Sequence, residues 1–177
     1  MNSKIVAVCG APQVGKRTII EALGMFNGYP NLIRKITETE PNTYLDIVSG
    51  STALHLITRS GSYLRPDSMI PKVLTGACAV IYVLEPCLPN GSSVNFAHDF
   101  YQKYFEYYTQ HAQKLGVFWA DVPWLLVLNK TDLASGLPPG ASLFPETFVN
   151  EITRCVATQS VGIPELWSKL VKKVTQR

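Results

Sequence analysis

Two segments hold residue types whose order suits them to binding a phosphorylated ligand. The first is Gly10-Ala11-Pro12-Gln13-Val14-Gly15-Lys16-Arg17-Thr18. A glycine near each end lets the backbone curl so that successive N–H groups turn inward and cradle phosphate oxygens. A helix starting at Lys16 adds the positive end of its dipole, and the Lys16 ammonium reaches the terminal phosphates. Gly10, Val14, Gly15, Lys16, Arg17 and Thr18 are therefore the candidate phosphate contacts. The second segment is Asn129-Lys130-Thr131-Asp132. The Asp132 carboxylate can accept two hydrogen bonds from a base that offers a ring N–H beside an exocyclic amine, as guanine does. Adenine would set an acceptor against it. GTP or GDP is the ligand that the two segments predict, with Asn129, Lys130 and Asp132 at the base.

Such residues need a frame to bring them together. Four short apolar runs, residues 4–9, 53–57, 79–84 and 124–128, are rich in branched side chains and nearly apolar throughout. Runs of this kind read as parallel strands buried on both faces. Helical spacing of apolar residues marks 16–25, 94–115 and 164–174. The alternation predicts an α/β fold, a mostly parallel central sheet flanked by helices on both faces. The glycine loop then follows the first strand directly, and Asn129 follows the last of the four. In the final helix Leu166, Leu170, Val171 and Val174 share a face that should pack on the sheet, Lys169, Lys172 and Lys173 lie outside it, and Pro164 suits the first turn. Loops are expected at 37–43, 86–91 and 134–145.

In the helix 94–115, Phe96, Phe100, Tyr104, Tyr108 and Leu115 recur at helical spacing and are expected to face the core. Tyr101, Phe105 and Tyr107 are surplus to that stripe. They read either as ordinary partly buried aromatics or as a docking surface, since tyrosine is enriched where proteins meet.

No internal repeat or linker divides the 177 residues, so one domain spanning 1–177 is expected, large enough to bury about two-thirds of its unfolded surface. A net charge of +3 is too weak to suggest nucleic acid. Its one basic cluster, Lys169, Lys172, Lys173 and Arg177, reads as a solvated helix face, or else as a contact for an anionic membrane surface or acidic partner. No apolar stretch reaches the ~20 residues of a membrane span, and no leader signal is evident. Cys9, Cys78, Cys87 and Cys155 have no metal-ligand spacing. Reduced thiols in the cytoplasm are the expectation, with Cys9 and Cys155 packed as small hydrophobes.

The glycine loop and the Asn-Lys-x-Asp motif together resemble the Ras-like small GTPase superfamily, over nearly the whole chain. The resemblance implies a P-loop NTPase fold of the Ras-like G-domain type. In that family a backbone N–H in the loop before the last helix contacts the guanine oxygen. Residues 156–163 stand in that place, which assigns Ala157 and Thr158 to the base by position. Within the superfamily the chain is most similar to the bacterial gliding-motility GTPases of the MglA type. Thr37-Glu38-Thr39-Glu40 with Tyr44-Leu45-Asp46 looks like their first switch, and Thr58-Arg59-Ser60-Gly61 like their second, with threonine in place of the usual aspartate. Leu74-Thr75-Gly76-Ala77 and the Val156-Ala157 to Val161-Gly162 segment fit as well. By analogy, the resemblance implies an effector or regulator protein, a roadblock-type protein among the candidates.

Hydrolysis in this family uses magnesium, a positioned water and charge stabilisation at the transferring phosphoryl group. The chain departs from that equipment. Arg17 stands where a serine or threonine hydroxyl would ligate magnesium, and Thr18 is one residue late, about 100° further round the helix. The Arg17 guanidinium either neutralises phosphate charge or points to solvent. Thr58 stands where relatives carry an aspartate, and Ser62 follows Gly61 where a water-orienting glutamine would sit. Pro41 replaces the intrinsic arginine of MglA-type proteins. Thr43 or Asn42 could supply the first switch's metal ligand, and spacing does not choose between them. Lys16, Arg59 and Ser62 remain as catalytic candidates, with Arg59 either an internal arginine finger or a solvent-facing side chain. Negligible intrinsic turnover is expected. Two classes follow: a GTP-dependent regulatory switch, or a pseudo-GTPase that displays its surface. A kinase or ATPase would need an acidic end to the strand 79–84. Glu85 is available there, but Asp132 argues for guanine.

Overall fold

In the computed structural model the described residues are 3–29, 34–35, 42–49, 52–59, 66–88, 98–134 and 136–176. Seven strands form one sheet in the order β2-β3-β4-β1-β5-β6-β7. They are β1 (Ser3–Cys9), β2 (Arg34–Lys35), β3 (Asn42–Ser49), β4 (Thr52–Arg59), β5 (Ala77–Leu84), β6 (Trp124–Leu128) and β7 (Thr153–Arg154). β1 runs parallel to both β4 and β5, and β5-β6 and β6-β7 are parallel too. Only the β2-β3 and β3-β4 pairs are antiparallel. Every residue of β6 is buried, as a near-continuous apolar run in a covered parallel sheet requires.

The helices are α1 (Lys16–Phe26), α2 (Pro66–Leu74), α3 (His98–Lys114), α4 (Glu146–Asn150) and α5 (Ile163–Thr175). α1 packs with α5, and α2 with α3. Right-handed crossovers put these two pairs on opposite faces, because the chain leaves β1 toward β3 but passes from β4 to β5 and from β5 to β6 in the other direction. The reversal between β1 and β5 opens a crevice at the carboxyl ends of the parallel strands. The glycine loop lies at that end.

The strands at 4–9, 53–57, 79–84 and 124–128 are present at those places, but three more join them. β3 begins at Asn42, inside the stretch expected as a loop. Its alternation of buried Leu45 and Ile47 with exposed Asp46 and Val48 is that of a half-buried antiparallel strand. α3 occupies 98–114. Tyr104 and Tyr108 are buried as expected, whereas Leu115 falls just past the helix end and is exposed. Phe105, expected outside the core stripe, is buried: its ring meets Phe144 at 4.5 Å and stacks over Trp119 at 6.3 Å. It therefore belongs to the core and not to a docking surface, and Tyr107 is partly buried against the same core. Phe96 and the side chains of Phe100 and Tyr101 lie outside the described residues.

An aromatic cluster fills the space between β5, β6 and α3. Tyr82 is edge-on to Tyr108 at 5.6 Å and stacked on Trp124 at 6.0 Å. Trp124 is fully buried, and its indole N–H donates to the Val117 carbonyl at 3.0 Å. Such pairs contribute about 0.5–1.5 kcal/mol each beyond area burial.

On α5 the buried face is Ile163, Leu166, Leu170 and Val174, with Val171 partly buried. Two of its three lysines bind within the fold, Lys169 to Glu165 at 2.6 Å and Lys173 to Glu151 at 3.1 Å, and Lys172 is exposed. That favours the solvated-face reading. All four cysteines are free, and Cys9 and Cys155 are buried. Among the described residues no helix is long and apolar enough to cross a membrane.

Candidate functional site

Between β1 and α1 the backbone turns through three residues with positive φ: Gly10 at 135°, Gln13 at 62° and Gly15 at 91°. At the two glycines a side chain would also find no room. A Cβ on Gly10 would run into the Val83 carbonyl of β5, and one on Gly15 into the Asn129 side-chain amide. The glycines thus serve two needs, curling the loop and letting two other segments approach its backbone. The Tyr108 hydroxyl lies close to the Gly10 backbone, which sets α3 beside the loop.

Asn129 closes the site from the other side. Its Nδ2 donates to the Val14 carbonyl and its Oδ1 accepts from the Ala157 N–H, both at 3.1 Å. One buried amide therefore joins the glycine loop, the end of β6 and the 3-10 turn Ala157–Gln159. Lys130, at φ 62°, turns its ammonium back to the Gln13 carbonyl at 2.8 Å and to Glu85 Oε1 at 2.7 Å. The Thr131 N–H and hydroxyl both donate to the Cys155 carbonyl at 3.2 Å. Asp132 is exposed, Ala157 is buried and Thr158 is exposed. Asn129 and Lys130, expected at the base, are thus engaged in holding the loops together.

At the phosphate end, Lys16 is 6% exposed and its ammonium donates to the Ala11 carbonyl at 2.7 Å, within the loop it should serve. Burial lowers its pKa to about 8, an effect the neighbouring Cys9 partly offsets, and burial pushes the Cys9 thiol up. Arg17 points away: its Nε meets Glu21 Oε1 at 2.6 Å on the exposed side of α1, a pairing that favours the solvent-facing reading. Thr18 is partly exposed. Thr58 is buried, and its hydroxyl donates to the Val8 carbonyl at 2.7 Å.

Strand register brings further candidates to the same end of the sheet. Thr43 pairs with Thr58 and Asn42 with Arg59. The side chains of Thr43 and Arg59, and all of Gly61 and Ser62, lie outside the described residues, as do residues 37–41 of the first switch.

Glu85 has a role that the sequence reading missed. In a kinase or ATPase it would be the acidic strand end, but its fully buried side chain is paired with Lys130. An acidic residue directly after a fully apolar strand was the available signal, since a buried carboxylate needs a partner.

The arrangement fits a guanine nucleotide: curled backbone amides beside Lys16 for phosphate, and an exposed Asp132 carboxylate beside loops fastened together for the base. Among the described residues, which leave out the side chain of Thr43, it does not fit magnesium. Arg17 has no lone pair to offer, the Thr58 hydroxyl is committed to Val8, and no group of three or more His, Cys, Asp or Glu among the described residues could hold a metal. No protein-family model matches the chain, and no curated protein matches it either.

Proposed function

We propose that the chain is a guanine-nucleotide-binding domain with a P-loop, of the Ras-like small GTPase kind and most similar to MglA-type proteins. It acts as a regulatory switch whose GTP hydrolysis is weak or depends on a partner. The observation that carries the reading is the placement of Asn129, bonded at once to Val14 of the glycine loop and to Ala157 of the turn before α5. Three segments far apart in sequence are thereby held as one site. A satisfied, buried amide in that position makes the phosphate loop and the base loop a single preorganised unit. Within it, Lys16 and the loop N–H groups bind phosphate, and Asp132 selects the base by accepting from its N1–H and amino group.

A second reading is favoured by the phosphate end. With Arg17 paired to Glu21 and Thr58 to Val8, nucleotide binding with no turnover would make the protein a pseudo-GTPase scaffold.

Calorimetric titration of nucleotide-free protein tests the first reading. GDP and GTP should bind, and ADP and ATP should bind about a thousandfold more weakly or not at all. Asp132→Asn should turn the preference toward xanthosine diphosphate, whose C2 carbonyl accepts from the new amide. Equal affinity for adenine and guanine nucleotides would overturn the assignment. Single-turnover hydrolysis, and hydrogen exchange of the GDP and GTP complexes, then separate the two readings: the switch requires the complexes to differ, the scaffold requires them to be alike.

A further inference from the structure

We propose that this site takes its guanine nucleotide without a divalent cation, the phosphate charge being met by Lys16 and the backbone amides of the glycine loop. The proposal rests on the nucleotide reading above and extends it to the chemistry of the phosphate end.

Three observations carry it. Position 17 immediately follows the phosphate-facing lysine in the first turn of α1, where a metal-ligating hydroxyl would have to stand. The residue there is a cation with five donors and no acceptor, turned outward to Glu21 at 2.6 Å. Thr18 does not replace it, because one residue along an α-helix is a rotation of about 100°. Second, the Thr58 hydroxyl points back into the sheet at Val8 and is 2% exposed, so recruiting it to a cation would strand the Val8 carbonyl it now satisfies. Third, the nearby carboxylate, Glu85, is buried in its pair with Lys130.

α1 begins at a glycine cap with no side-chain hydrogen bond and has no acidic residue in its first turn. Its leading N–H groups are thus not blocked by a carboxylate, and no fixed negative charge opposes a phosphate there. Lys16 emerges from the same turn and is held inside the loop, close to where those amides converge. Anion binding at such a terminus needs no metal.

The test is calorimetric titration of the nucleotide-free full chain with GDP, once with magnesium and once with chelator. Affinities should agree within about threefold, or be slightly weaker with magnesium, which competes for free nucleotide. Tightening of about tenfold or more by magnesium would overturn the proposal while leaving the nucleotide reading intact. Absence of GDP binding in both conditions would overturn the nucleotide reading itself, and the proposal with it. A paramagnetic manganese probe gives an independent readout: added to the GDP complex, it should show no protein-bound resonance, and a bound resonance would overturn the proposal. Arg17→Ser returns a hydroxyl to the position and should create a magnesium dependence of about tenfold. A serine variant that stays indifferent to magnesium would remove position 17 from the explanation and overturn the argument.

Discussion

The two ends of the site are built in opposite ways. At the base end, Asn129, Lys130 and Thr131 each satisfy a backbone group of a distant segment, so polar side chains fasten the loops to one another. At the phosphate end, Arg17 and Thr58 are turned to Glu21 and Val8, away from any shared centre, and only Lys16 stays within the loop. The contrast separates recognition from chemistry. On the proposed reading, the groups that shape the base site are joined to one another, whereas Arg17 and Thr58, at two positions where a metal would be organised, are committed elsewhere. Preorganised polar networks have a high cost when broken, and an exposed pair such as Arg17–Glu21 has little, so Asn129 and Arg17 should respond very differently to substitution.

The largest effect is expected at Gly15. Gly15→Ala places a methyl against Asn129 and strains a backbone at φ 91°, and the strain alone costs about 1–3 kcal/mol. GDP affinity, followed with a fluorescent analogue, should fall by about a hundredfold or more. Unchanged affinity would show that the Asn129 junction does not matter for binding.

Proton linkage at Lys16 comes next. The folded pKa of about 8 lies below the ordinary lysine value of 10.5, so in the unliganded protein the unfolded chain binds the extra proton between these values. The contribution of Lys16 to stability therefore rises with pH across that window. Phosphate restores the charge, so GDP affinity should decline by up to about tenfold per pH unit above 8. Guanosine, which lacks phosphate, should show no such slope. A GDP affinity flat to pH 9.5 would mean that Lys16 does not meet the phosphates.

Glu85→Gln removes the charge that faces Lys130 and keeps its shape. Because Lys130 is about a quarter exposed, an intermediate loss of about fivefold in GDP affinity is expected. In a Lys130→Met background the same change should do almost nothing; additive losses would show that Glu85 acts through the fold and not through Lys130.

Arg17→Ala should do least. The Arg17–Glu21 pair is exposed and spaced i,i+4, which contributes at most about 0.5 kcal/mol to stability. GDP affinity should stay within about twofold. A loss above tenfold would mean that the guanidinium swings to phosphate, and the contrast between the two ends would fail.

Most of the sheet was legible because buried parallel strands announce themselves as apolar runs: 124–128 matches β6, and 4–9 and 53–57 fall within β1 and β4. β3 was missed because its polar start at Asn42-Thr43 outweighed the alternation that follows. α2 was missed because Pro71 interrupts its pattern and β7 because two residues carry no period. Within the site, the tight turn at Gly10 and Gly15 could be read from spacing alone. The bonds of Asn129 to Val14 and Ala157, and of Lys130 to Glu85, join segments whose proximity only the strand order creates. The outward turn of Arg17 depended on Glu21 one helical turn on, a pairing that spacing allows but does not compel.

The closeness of the Tyr108 hydroxyl to the Gly10 backbone gives the molecule an optical reporter of its own. Tyr108 touches Tyr82, and Tyr82 stacks on the buried Trp124, so the glycine loop is two rings away from an indole. Filling the loop should change intrinsic tryptophan emission without any label, and Tyr108→Phe should mute that signal while leaving the affinity close to its original value.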